Sequence, residues 1–256
     1  MKLSFVIPAH NEEAHVGECL RTVLREINEN NLVIGKDVEV VVVNNASIDR
    51  TAEIAASHPG VTVLNEPIKG LVMARRAGFV VTTGELVANL DADTRTPKGW
   101  LAHVLSEFEH ANNLVALSGP YIYYDLNDVE RACVKLFYFV GWVFYLLNHY
   151  IFKKGAMLQG GNFILRRDAW DRAGGFDTTI SFYGEDTDVA RRMTKQGVVK
   201  WTWKLPMYAS GRRLAEEGLL KVGYTYAVNF FTISLYGRPH TREYRDIRLT
   251  PKEQKK

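Results

Sequence analysis

The stretch Gly84-Glu85-Leu86-Val87-Ala88-Asn89-Leu90-Asp91-Ala92-Asp93-Thr94 decides how this chain reads. It is a short apolar run that ends in two carboxylates one residue apart. A strand over Glu85 to Leu90 alternates its side chains, so Asp91 and Asp93 are expected on the same side. The change from apolar to charged puts the pair at an exposed strand end. Two acids held close repel each other, and a divalent cation relieves the repulsion. Oxygen ligands of this kind suit Mg²⁺ or Mn²⁺, which share their coordination with a substrate's phosphates. Asp-x-Asp also arises in ordinary polar turns, so the surroundings must decide between a metal site and a turn.

Upstream, strand and helix alternate. Leu3 to Ile7 reads as a buried strand stopped by Pro8, followed by a polar turn in which Asn11 is placed to cap a helix. That helix carries Val16, Leu20, Val23, Leu24 and Ile27 at helical spacing. Val38 to Val43 is nearly continuous in β-branched residues, the pattern of a strand buried on both faces in a parallel sheet. Ser47 or Asp49 can cap the next helix, Thr51 to Ala56, before a strand over Val61 to Leu64 and a helix over Ile68 to Val81. Repeated βα units of this length predict an α/β fold with right-handed crossovers. Ligands of such sheets sit beyond the carboxyl ends of the strands. Three polar tips collect at that edge: Pro8 to Glu12, Asn44 to Asp49, and Asp91 to Thr94.

Downstream, a helix is expected over Pro97 to His110, a strand over Leu114 to Ser118, and a strand over Gln159 to Leu165. A short helix over Arg167 to Ala173 closes at Gly174-Gly175. Gly184-Glu185-Asp186-Thr187-Asp188 opens a helix running to Gln196, which Gly197 ends. A strand over Val198 to Trp203 and a helix over Glu216 to Leu235 complete the pattern.

With 256 residues the chain fits one large domain. A net charge of +3 gives no case for nucleic acid. Cys19 and Cys133 have no metal or redox spacing, so reduced thiols and a cytoplasmic setting are expected. The apolar start is too brief for a signal peptide.

Taken together, these motifs resemble the inverting nucleotide-sugar glycosyltransferases of family 2, with the GT-A fold. The resemblance runs from Phe5-Val6-Ile7-Pro8-Ala9-His10-Asn11-Glu12 through Val43 to Thr51, Lys69-Gly70 with Ala74 to Gly78, and Leu90 to Asp93. It continues through Gly161-Asn162, Gly174 to Asp177 and Gly184 to Asp188, and Ser210-Gly211-Arg212-Arg213 looks like a less common C-terminal motif. It implies one GT-A-like domain over 1–256: a mostly parallel central sheet with helices on both faces and a C-terminal acceptor-binding half. The implied donor half covers 1–95, the acceptor half 96–215, and a C-terminal helix and tail 216–256.

The resemblance also implies roles. Pro8, Ala9, Asn11, Glu12, Asn44, Asn45, Lys69, Arg75, Asp91 and Asp93 would bind the donor, with Asp93 on Mg²⁺ or Mn²⁺ and Asp91 nearer the ribose. Lys69 and Arg75 would bring positive charge to the phosphates; the rival reading is an ordinary ion pair. Asn44 and Asn45 stand where aspartates are usual, and an asparagine carbonyl can accept from uracil N3–H. A UDP-sugar is the first expectation, with the base left open by that departure. Asp186 would be the general base that deprotonates an acceptor hydroxyl, and Gly161, Asn162 and Glu185 would bind the acceptor. His240, outside any motif, is left without a role. The acceptor is expected to be a glycan or a lipid-linked molecule; a polyprenyl phosphate would need no general base. A non-catalytic nucleotide-sugar-binding protein is the reading from another class.

Leu136 to Leu147 is a run of apolar residues rich in aromatics, with Lys135 before it and His149, Lys153 and Lys154 after it. It is too short to span a bilayer comfortably. Two readings stand: core or contact between copies of the chain, and peripheral contact with the inner face of the cytoplasmic membrane.

Overall fold

The structure, a computed structural model, describes residues 2–147, 157–241 and 244–248. Strands β1 (Leu3–Ala9), β2 (Val38–Asn45), β3 (Val61–Glu66) and β4 (Leu86–Leu90) alternate with helices α1 (Val16–Glu29), α2 (Thr51–Ala56) and α3 (Leu71–Val81). Next come β5 (Thr94–Arg95), α4 (Trp100–His110), β6 (Leu114–Ser118), β7 (Tyr121–Tyr123) and α5 (Asp128–Leu147). Then follow β8 (Asn162–Arg166), α6 (Arg167–Ala173), α7 (Glu185–Met193), β9 (Val198–Trp201), β10 (Met207–Ala209), α8 (Arg212–Glu217) and α9 (Leu219–Tyr236). The central sheet has seven strands in the order β3-β2-β1-β4-β8-β6-β9. All neighbours are parallel except β8, which runs antiparallel to β4 and β6. The expected mostly parallel α/β architecture is the one observed.

Side-chain alternation divides the core. Leu3, Phe5 and Ile7 of β1 join Val40 and Leu90 in the cluster under α1 and α4. Val6 points the other way, with Val43, Val87 and Phe163, under α3, α6 and α7. This is why β2 reads as an unbroken apolar run: both of its faces are covered. Gly78 sets the depth of α3, since a Cβ there would overlap Val6 and Val43. Buried Glu26 of α1 accepts from the backbone N–H groups of Gly99 (3.3 Å) and Leu101 (3.1 Å), placing a carboxylate at the start of α4.

Several local expectations are corrected. Strand β1 continues through Pro8, opposite Val43, because pairing with β4 ends at Val6 and the missing N–H there breaks no ladder. Helix α3 begins at Leu71, not Ile68, because Asn45 holds the preceding loop: its Nδ2 donates to Glu66 O (3.0 Å) and Ile68 O (2.8 Å), and its Oδ1 accepts from Gly70 N (2.8 Å). Asn11 does not cap α1, which starts at Val16 without a side-chain cap. Instead Asn11 Oδ1 accepts from Ile48 N at 2.9 Å and ties the first two loops together. The single C-terminal helix is two, α8 and α9, parted at Gly218, whose φ of +87° only glycine adopts freely. A second sheet, in the order β5-β10-β7, was not anticipated, its strands being too short to carry a period.

Helix α5 buries Val134, Tyr138 and Tyr145 and leaves Leu136, Phe139 and Val140 exposed. No described helix is long and apolar enough to cross a membrane. The expected apolar segment beyond Leu147, with His149, Lys153 and Lys154, lies outside the described residues.

Candidate active site

The loops after β1 and β4 and the start of α7 face one cleft of about 140 Å³. Pro8, Glu12, Asp91, Asp93, Gly160, Glu185 and Asp186 all line it. The strand argument for the first acid pair does not hold. Strand β4 stops at Leu90, and Asp91-Ala92-Asp93 is a turn closed by Thr94, whose N–H (3.0 Å) and hydroxyl (2.7 Å) both donate to Asp91 O. Both carboxylates still line the cleft, because the turn aims each at a different cation.

Asp91 meets Arg75. This side chain is 1% exposed, and its guanidinium donates to Asp91 Oδ1 (3.1 Å), to Gly160 O (2.8 Å) and to Glu185. Arg75 is therefore not a free charge offered to a phosphate; it is spent on joining the two acid groups. Burial works against its charge, but Glu185 and Asp91 outweigh that and hold it protonated. The Tyr121 hydroxyl donates to Asp91 Oδ2 at 3.1 Å. Asp93 meets Arg212 at 2.9 Å, and the same guanidinium nitrogen also pairs with Glu12. Burial pushes the Asp93 carboxyl up to about 6, against the pull of Arg212.

The nucleotide-loop residues divide. Pro8 lines the cleft; Ala9, Asn45 and Lys69 line a smaller recess beside it. Asn45 is 3% exposed, and its amide is consumed in holding the 66–70 loop, so it has no group left for a base. Asn44 Nδ2 donates to Asn65 Oδ1 at 2.8 Å, and its Oδ1 has no partner among the described residues. Lys69 pairs with Asp246 at 2.8 Å.

In the acceptor half, Asn162 does not reach the cleft. It is fully buried: its Nδ2 donates to Gly119 O and Leu205 O, and its Oδ1 accepts from Trp100 Nε1. Its amide fastens β8 to the loops that follow β6 and β9, which corrects its expected contact with an acceptor. Gly161 serves close approach, since a Cβ there would collide with Asp91 and the Tyr121 hydroxyl. Helix α7 opens with Glu185, Asp186 and Asp188 in its first turn, where acids suit the helix dipole. Asp188 is paired with Arg191 and Arg192, and Glu185 with Arg75. Asp186 forms no ion pair among the described residues; it accepts from the Thr187 N–H at 2.7 Å and hydroxyl at 3.3 Å, and from the Gly160 backbone. Burial raises the carboxyls of both Glu185 and Asp186, Glu185 to about 7.

Arg212, Tyr121, Asp246 and Arg248 were missed as site residues. Arg212 belonged to a motif already singled out; the other three carried no signal in the chain.

Among the described residues no three acid, His or Cys side chains gather into a cage for a metal ion. The donors do suit an ion shared with a substrate. Glu12 and Asp93 lie against one Arg212 nitrogen, and Glu12 Oε2 is buried without a partner. Mg²⁺ and Mn²⁺ in such sites take one or two carboxylates and fill the rest of their shell with phosphate oxygens and water.

This sheet, with an acid-lined cleft at its carboxyl edge, has the architecture of GT-A glycosyltransferases. The chain matches Glycosyl transferase family 2 over residues 4–174 and belongs to that family. Mannosyltransferase PcManGT from Pyrobaculum calidifontis, solved with GDP-Man and Mn²⁺, superposes with a TM-score of 0.68 at 18% identity, over 91% of this chain and 64% of that one. Glucosyl-3-phosphoglycerate synthase from Mycobacterium tuberculosis, solved with Mn²⁺, UDP-glucose and phosphoglyceric acid, gives 0.62 at 18% identity, over 94% and 81%. Probable glycosyltransferase YdaM of Bacillus subtilis is 26% identical over 214 residues, 77% of this chain and 47% of its own. An undecaprenyl-phosphate 4-deoxy-4-formamido-L-arabinose transferase of Enterobacter sp. is 32% identical over 120 residues, 44% of this chain and 36% of its own. The chain thus spans less than half the length of these two curated relatives.

The raised Glu185 carboxyl has a consequence for stability. A folded-state pKa above the unfolded one favours folding at low pH, and that contribution is lost as pH rises through the folded value. Between the ordinary glutamate range and about 7, the melting temperature should fall more steeply in the wild type than in Glu185→Gln. Thermal unfolding followed across that window checks this; parallel curves would refute it.

Proposed function

We propose that the chain is an inverting glycosyltransferase that moves a sugar from a nucleoside diphosphate donor, a UDP-sugar in the first instance, to an acceptor hydroxyl. The observation that carries this reading is two acid groups lining one cleft and tied by Arg75: Asp91 of the first pair, and Glu185 beside Asp186 of the second. A transfer of this kind needs charge stabilisation at the leaving diphosphate and a base at the acceptor. In this reading Asp93, with Glu12 beside it, holds Mg²⁺ or Mn²⁺. A bound divalent ion offsets the charge that builds on the leaving group. The structural relatives solved with Mn²⁺ support that assignment by analogy. Lys69 supplies further positive charge for the phosphates.

Asp186 takes the acceptor proton. It lines the cleft, forms no ion pair among the described residues, and has a carboxyl raised by burial against the pull of nearby Arg75, all of which suit a base working near neutral pH. Glu185, held by Arg75, positions the acceptor. Asp186→Asn should lower transfer about 10²–10⁴-fold with donor affinity retained. A variant that transfers at the wild-type rate removes Asp186 as base. Asp93→Ala should abolish the rise in melting temperature that Mn²⁺ adds to a panel of UDP-, GDP- and dTDP-sugars. An unchanged Mn²⁺-dependent shift in that variant, or full activity in chelator, overturns the metal role.

A lipid-linked acceptor, including a polyprenyl phosphate, is the second reading. The apolar outer face of α5 favours it: Leu136 and Phe137 are exposed there, and Phe137 lies 4.0 Å from the Cβ position of Gly223 on α9, next in the chain to exposed Tyr224. Tyr226 of α9 also lines the cleft, so that surface adjoins the acceptor side. Lys135 and Lys221 on the same helices suit an anionic interface. The chain should therefore sediment with vesicles containing anionic phospholipid at low salt; absence of binding there discards membrane contact.

A further inference from the structure

The segment Tyr244 to Arg248 crosses the donor side of the cleft. Asp246 Oδ2 lies 2.8 Å from Lys69 Nζ and 3.7 Å from His10 Nε2. Arg248 Nη1 lies 3.4 Å from Glu12 Oε1, and its carbonyl accepts from Asn11 Nδ2 at 3.5 Å. Tyr244 stacks on Phe182 with ring centroids 4.5 Å apart, and Arg245 O accepts from Arg213 Nη1 at 3.2 Å. These anchors are made to the loops around the cleft.

The order of charges along this strap is informative. A carboxylate is set on the cationic side of the donor site, at Lys69, and a guanidinium on its acidic side, at Glu12. A diphosphate with its divalent ion would carry the same two signs to the same two places. The strap also takes up space. The recess between the first loop, Lys69 and Asp246 keeps about 10 Å³, and the main cleft about 140 Å³, against roughly 300–1,000 Å³ for typical ligand sites. Lys69 is 41% exposed in its pair with Asp246, which is 11% exposed, so water and a more highly charged phosphate can reach the lysine end and compete for it.

We infer that residues 244–248 form an internal competitor of the donor, with Asp246 standing in for a donor phosphate at Lys69, and that the donor binds by displacing this strap. The inference rests on the nucleotide-sugar reading of the cleft. It makes the free chain self-blocked: apparent donor affinity is reduced by the fraction of molecules in which the strap is seated. It also gives Asp246 and Arg248 a part in setting that affinity.

The test uses the full chain and Asp246→Asn, each titrated calorimetrically with UDP, GDP and dTDP in the presence of Mn²⁺. Neutralising the strap should tighten binding of the preferred nucleotide about fivefold, by raising the competent fraction. In the wild type, the same nucleotide should speed tryptic cleavage after Arg245 and Arg248, because it expels the strap. Equal affinity in the two chains overturns the competition alone. Weaker binding by Asp246→Asn, or slower cleavage with nucleotide present, overturns it in favour of a lid that closes over the donor. If neither chain binds any of the three nucleotides, the nucleotide-sugar reading falls and takes this inference with it.

Discussion

Arg75 is the point on which the cleft depends. A guanidinium almost wholly out of water must be paired, and its partners come from three separate parts of the chain: Asp91 after β4, Gly160 before β8, and Glu185 at the start of α7. Satisfying one buried charge therefore brings the end of β4 against the first turn of α7. The same bridge keeps like charges apart. Without a cation between them, Asp91 and Glu185 would repel across the cleft, and burial would drive protons onto them. Gly160 and Gly161 permit the approach, because side chains there would occupy the space the acids and the arginine use.

A second constraint is the charge balance of the donor side. Glu12 and Asp93 share Arg212, Glu12 also meets Arg248, and Lys69 meets Asp246. These acids of the cleft are thus each met by a cation of the chain itself. Asp186 makes no such pair among the described residues: burial raises its carboxyl, against the pull of Arg75 and of the Thr187 N–H.

Much of this was legible in the chain. The β-branched run of β2, the buried apolar run of β1 and the helical spacing of α1 are local signals, and each was realised within a few residues. The three polar tips follow from topology, since successive parallel strands must end at one edge. The chain could not tell which polar residues would be used up in building the loops. Asn45 and Asn162 carry the same groups as a ligand contact would, but both are buried and their amides are committed to backbone atoms. Pro8 looked like a strand end because its lost N–H matters only where a neighbour needs it, and the neighbour's length is a tertiary fact.

By itself, then, the sequence determined the α/β class, the placing of acids at strand and helix ends, and the family pattern, because these depend on residues close together in the chain. Only the tertiary structure decided which charges meet. Arg75 pairs with an acid 110 residues away, Arg212 with one 200 residues before it, and Asp246 with a lysine in the donor half. Those pairings depend on distance in space and on exclusion of water. No spacing in the chain encodes either, so the division of the acids into those paired with an arginine and Asp186, which is not, appears only when the fold has brought them together.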